Sequence, residues 1–170
     1  MTAVVKAMVA VERVNDWSGK ALVLIAPIVI LITVLEVVLR YVFNSPTNWV
    51  HESSTLLFGM QYILSGAYAH YWGAHVKVDI LHGKLSRRGQ AWLDSATSVF
   101  FFLFVGALAF TSWTFFLDSW AIREHSFTDW GPPYYPVKFT IPVAFAMLGL
   151  QGLVKLARDL HLAFTGRRLA

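Results

Sequence analysis

Four long stretches without a charged residue, Ala21–Leu35, Ser53–Val76, Ser95–Leu117 and Phe139–Val154, leave this chain little choice of solvent. At about 1.5 Å of rise per helical residue, each can cross most or all of a hydrocarbon layer about 30 Å thick. The expected class is all-α: an integral membrane four-helix bundle. With 56% hydrophobic and 14% charged residues, the chain is more apolar than an ordinary soluble domain. Such a bundle uses nearly all of the 170 residues, which form a single membrane domain with no room for a soluble catalytic one.

The predicted helices cover residues 19–43, 48–72, 89–120 and 137–157. Pro27 lies inside the first and should kink it, which a membrane helix tolerates when neighbours satisfy the freed carbonyl. Lys6, Arg13 and Lys20 ahead of an apolar run also resemble a secretory signal. However, Glu36-Val37-Val38-Leu39-Arg40 follows with no small-residue cleavage site, so the segment reads as a retained first helix. The fourth apolar core is short, and Lys138 and Lys155 at its ends can snorkel to the two interfaces.

Positive charge sets the expected orientation. The N-terminal tail carries Lys6, Arg13 and Lys20. The 74–90 loop carries Lys77, Lys84, Arg87 and Arg88, and the C-terminal tail carries Lys155, Arg158, Arg167 and Arg168. The opposite side holds only Arg40, Arg123 and Lys138. Both termini are therefore expected in the cytoplasm (N-in/C-in), with the 44–48 turn and the 118–136 loop outside. The net charge of +4 is a topology signal and gives no reason to expect nucleic acid as a partner. Trp17, Tyr71, Trp72 and Trp92 fall at the inner interface, and Tyr41, Trp49, Trp120, Trp130, Tyr134 and Tyr135 at the outer, depths that suit rings with one polar edge.

Polar groups at membrane depth are the candidate functional residues, because each is costly unless paired. Glu36 and Arg40, four apart, meet on one helix face. They read as an internal ion pair, with a proton or ion relay as the competing reading. Gln61 and Gln151 can join helices through amide hydrogen bonds. Ser65, Ala69 and Gly73 form a small-residue stripe, and Gly59 and Gly66 lie seven apart, so this helix should pack closely on the chain itself or on another subunit. The 74–90 loop mixes aliphatic and basic residues, as a segment in the headgroup layer does, which makes membrane lipid an expected partner. The outer loop, with Arg123, Glu124, Asp129 and Gly131-Pro132-Pro133, could equally be a docking surface or a plain connection.

The absence of cysteine excludes disulfides, thiolate zinc sites and iron–sulfur ligation. Six histidines, His51, His70, His75, His82, His125 and His161, raise the alternative of a haem- or quinone-binding anchor of a respiratory oxidoreductase. A self-contained small channel is a third reading. No nucleophile with a base, phosphate loop or metal cluster is legible, so an enzyme is not expected.

The ordered residues resemble the small membrane subunit of TRAP (tripartite ATP-independent periplasmic) transporters, the DctQ type. The likeness lies in Arg40-Tyr41 with Asn44, Trp49 and Glu52, Gly66-Ala67, His75-Val76-Lys77-Val78-Asp79, Glu124 and Ser126, Pro136 and Pro142, and Gln151. It covers roughly residues 15–160, with the His-Val-Lys-Val-Asp stretch the most specific part. The outer loop is longer than in the family's shortest versions. The resemblance implies a small permease subunit in the bacterial inner membrane, a scaffold for a large transport subunit. That partner carries the substrate and sodium sites, and a periplasmic binding protein delivers an organic acid. No cofactor is then expected in this subunit. By the same analogy Glu52, His75 and Asp79 are structural or interfacial. Together with Glu36, Arg40, Gln61, Ser65, Ala69 and Gly73 they make up the expected partner interface, and Arg123, Glu124 and Asp129 the expected contact with the binding protein.

Overall fold

The computed structural model describes residues 3–74 and 85–167. Their regular structure is helical: α1 (Ala3–Leu22), α2 (Ile25–Tyr41), α3 (Val50–Tyr71), α4 (Arg87–Ala121) and α5 (Tyr135–Thr165). Three stretches, Ala3–Tyr41, Arg87–Ala121 and Tyr135–Thr165, are long and apolar enough to cross a membrane. That is one fewer than the four expected. The 22-residue α3 has the length but carries Glu52, Gln61, two histidines and four serines or threonines. It lies against α1, α2 and α5, so these polar groups can meet protein instead of lipid.

The helix expected over 19–43 begins instead at Ala3 and breaks at Val23–Leu24. Pro27 accounts for the break. It has no N–H to donate, and its ring crowds the carbonyl four residues back, that of Val23. The Leu24 N–H turns to the Ala21 carbonyl at 3.2 Å, a tighter turn than the α-helix on either side. The kink thus falls one turn ahead of the proline. The last helix also runs past its expected end at 157 to Thr165, where Gly166 takes the left-handed conformation (φ +71°) that stops it. At the start of α4, the Ser86 hydroxyl caps the helix by accepting the Gly89 N–H at 3.3 Å.

Packing departs from a closed bundle. α4 and α5 pair most extensively, α3 packs on α5, and α2 leans on α3, with no comparable contact from α2 to α4 or α5. The helices stand in an open row, α2–α3–α5–α4, and α1 lies across α3 and α5. The α4–α5 pairing follows from the sequence of α4. Its buried residues Ala91, Ser95, Val105, Ser112 and Ser119, with the half-buried Ser98, Phe102, Ala109 and Phe116, fall on alternating steps of four and three. This is the 3.5-residue period of a coiled-coil seam, and its many small side chains let a neighbouring backbone approach.

The two helices run antiparallel along their length. Trp92 meets Phe164 with ring centroids 5.0 Å apart, Phe116 meets Phe139 at 5.0 Å, and Trp120 meets Tyr135 at 5.2 Å. Midway, Gly152 leaves room for Phe101; a Cβ there would lie 2.3 Å from the ring. On α3, by contrast, a Cβ at Gly59 or Gly66 would meet nothing within 4 Å. Among the described residues, the tightest approaches of one helix to a glycine of another are therefore at Gly152 and at Gly19, where a Cβ would lie 2.1 Å from the Tyr68 ring.

Candidate functional site

The row of helices has a loop end, formed by residues 42–49 and 122–134, and a tail end near both termini. Polar side chains gather at each. At the tail end, α1 is held on α5 by a buried amide pair. Asn15 Nδ2 donates to Gln151 Oε1 at 2.7 Å, and the two residues are 1% and 4% exposed. An unpaired amide at that depth would be costly, so each partner fixes the other. Two turns away Arg158 grips both carboxylate oxygens of Glu12, with Nη2 3.0 Å from Oε2. Lys155 bridges Asp94 on α4 (2.9 Å) and Asp159 on its own helix (2.6 Å). α1, α4 and α5 are thereby tied together.

At the loop end, Glu36 receives Arg40 (Nε at 3.0 Å) as the i,i+4 spacing implies. It also accepts the Thr47 N–H at 3.0 Å and the Thr47 hydroxyl at 2.5 Å. Both Thr47 donors belong to the turn leaving α2, so Glu36 folds that turn back onto its helix.

The second loop closes on itself. The Ser126 N–H donates to the Pro132 carbonyl and the Tyr134 N–H to that of Glu124, each at 2.9 Å. Glu52, in the first turn of α3, then pins the closed loop by accepting the Thr128 hydroxyl at 2.5 Å and the Tyr134 hydroxyl at 2.7 Å. Lys138 donates to Glu124 Oε2 at 2.5 Å and anchors the loop to α5.

This Lys138 bond, helped by Ser119, holds the Glu124 carboxyl below its ordinary value of 4.5. A depressed carboxylate contributes stability that is present above the ordinary value and lost as pH falls through the lowered one. Protease sensitivity of the 122–134 loop is therefore expected to rise only below pH 4.5. Glu124→Gln should expose the loop at neutral pH and shrink the acid step, as limited proteolysis across pH would reveal.

Gln151 forms its amide pair with Asn15 and not with Gln61, which is half-buried on α3. Ser65 and Ala69 are half-buried, while Gly73 is exposed beyond the helix end at φ +67°. The small stripe thus loses its third member. Glu124 is engaged internally, whereas Arg123 and Asp129 are exposed. His75, Asp79 and most of the 74–90 loop lie outside the described residues.

Among the described residues the histidines do not converge. His51 and His70 sit at opposite ends of α3, and the His70 ring stacks on Phe101 at 5.0 Å. The His125 and His161 rings bond to the backbone carbonyls of Arg123 and Arg167. Two imidazoles placed so far apart cannot clamp one macrocycle between helices. Sequence reasoning missed Asn15, Glu12 and Arg158. Their signal was a buried-face repeat in the first helix, Met8, Asn15 and Gly19.

Polar groups that brace helices and, among the described residues, three long apolar spans describe a membrane component. None of the curated proteins compared with the chain matches it. The family model of the DctQ component of tripartite ATP-independent periplasmic transporters does match, over residues 29–162, and with that coverage the chain belongs to this family of small membrane components.

Proposed function

We propose that this component is the fixed wall beside which the large transport component moves. α2 carries the reading. It buries Val29 alone, and it exposes Ile28, Ile30, Leu31, Val34, Leu35, Val37 and Val38 along its flank. On α3, which packs beside α2, the exposed Gly59 has open space for a neighbour. An aliphatic flank next to small residues suits close packing against another membrane helix. The large component then docks on α2 and α3, around Gln61, Ser65 and Ala69. Glu36, Arg40 and Glu52 keep the loop end of that face in shape. Four helical spans, with α3 as the fourth, cross the bacterial inner membrane with both termini in the cytoplasm. This orientation is supported by the cations Lys6, Arg13, Lys20, Arg87, Arg88, Lys155, Arg158 and Arg167 at the tail end.

On this reading the 122–134 loop faces the periplasm. Arg123, Asp129 and the fully exposed Phe127 meet a binding protein that delivers an organic acid. Sodium coupling and substrate recognition belong to the large component, and this chain holds no cofactor of its own. Leu31→Trp with Val34→Trp should cut co-purification of the large component at least tenfold while the chain itself stays monodisperse in detergent. Unchanged recovery would overturn docking on α2. Reporter fusions at Asn44 and Thr128 should score periplasmic; a cytoplasmic score at either would invert the orientation.

A further inference from the structure

We infer that the outward face of α1 binds the headgroups of anionic phospholipid. At about 100° per residue, the side of α1 opposite its buried residues Met8, Asn15 and Gly19 carries Lys6, Ala10, Arg13, Trp17 and Lys20. The three cations recur every seven residues and so lie on one face, drifting only slightly along it. All five of these residues are exposed. Lys20 pairs with Asp16 at 2.5 Å, whereas Lys6 and Arg13 make no ion pair among the described residues.

The exposed side is itself divided. Val4, Ala7 and Val14 form an apolar flank, and Arg13 and Lys20 form a basic one, with Trp17 between them. This is the division expected of a helix lying in the interfacial plane, with aliphatic groups at the acyl boundary, cations at the phosphates and indole at the depth it favours.

Two observations favour lipid over an acidic protein surface as the occupant. α1 runs through the exposed, apolar Val23 and Leu24 into α2, so the bilayer surface lies at the end of α1. α1 also rests on the tail halves of α3 and α5, with Gly19 against Tyr68, whose ring neighbours Trp72, and Glu12 on Arg158. The amide pair and the Glu12–Arg158 grip hold this charged face in a fixed direction. Anionic headgroups supply the countercharge that the described residues leave out at Lys6 and Arg13.

The chain has no cysteine, so Ala10→Cys gives the full-length protein one site for an environment-sensitive fluorophore. In nanodiscs of phosphatidylcholine with increasing phosphatidylglycerol, the emission should shift to the blue, and high salt should reverse the shift. Lys6→Gln with Arg13→Gln should raise the phosphatidylglycerol fraction needed for half the shift by roughly tenfold, as expected for two interfacial cations. Three results would overturn the assignment: no dependence on phosphatidylglycerol, a dependence untouched by the double substitution, or an equal loss from Arg87→Gln with Arg88→Gln. A shift that appears only when the large component is present, in either lipid, would overturn it in favour of a protein partner.

Discussion

Gly152→Val should lower the thermal unfolding midpoint of the purified chain sharply, at a cost of about 1–3 kcal/mol. A Cβ at this position would stand 2.3 Å from Phe101 Cε1, inside any real carbon–carbon contact. The neighbourhood has little slack, because Gly152 is buried in the α4–α5 seam and Phe101 also stacks on His70. The strain should therefore be relieved by pushing α4 off α5, not by rotating one ring. Trimming the obstacle tests that reading: Gly152→Val with Phe101→Leu should recover most of the lost midpoint. If the double variant is no better than the single one, crowding at Phe101 is not the cause.

Asn15→Leu is the second large effect. It leaves the Gln151 amide at 4% exposure without the donor that now reaches it at 2.7 Å. An orphaned buried amide costs about 1–3 kcal/mol, and interhelical bonds in membranes tend toward the lower part of that range. Because the bond joins residues 136 apart in sequence, the consequence is specific: α1 should loosen from α5 while the α4–α5 pair stays intact. Trypsin should then cut at Arg13 at least several-fold faster, with little change at Arg123. Adding Gln151→Met removes the orphan, so the double variant should regain stability. Equal cleavage in Asn15→Leu and the parent would mean that the amide pair does not hold α1.

How far the sequence revealed these features depended on how local each was. The long helices were legible because apolar length and flanking charge are properties of single segments. Glu36–Arg40 was legible because four residues bring side chains together on any helix. Thr47, the other partner of Glu36, was not, since it arrives through a turn whose path the helix pattern does not encode. The same holds for Glu52. It stands out as an acid in a first turn, but its partners Thr128 and Tyr134 come from a loop that must first close on itself.

In the sequence, α1 stands out only as a tail carrying Lys6, Arg13 and Lys20. Only the contact with α5 explains why Asn15 is its most buried polar group. The small residues of α4 were present all along at coiled-coil spacing. The stripe on α3 is the more conspicuous pattern, although among the described residues the tightest approaches of one helix to a glycine of another use Gly19 and Gly152.

The central claim is that this component is braced at both ends and keeps its shape while the transporter works. Spin labels at Ser45 and Ile122, both exposed at the loop end, report the separation of the α2 and α4 edges of the row. The distance should be measured in the assembled transporter, before and after adding sodium, the binding protein and a panel of organic acids that includes a transported one. An unchanged, narrow distribution is the expected result. A shift or broadening that accompanies transport would contradict the fixed wall.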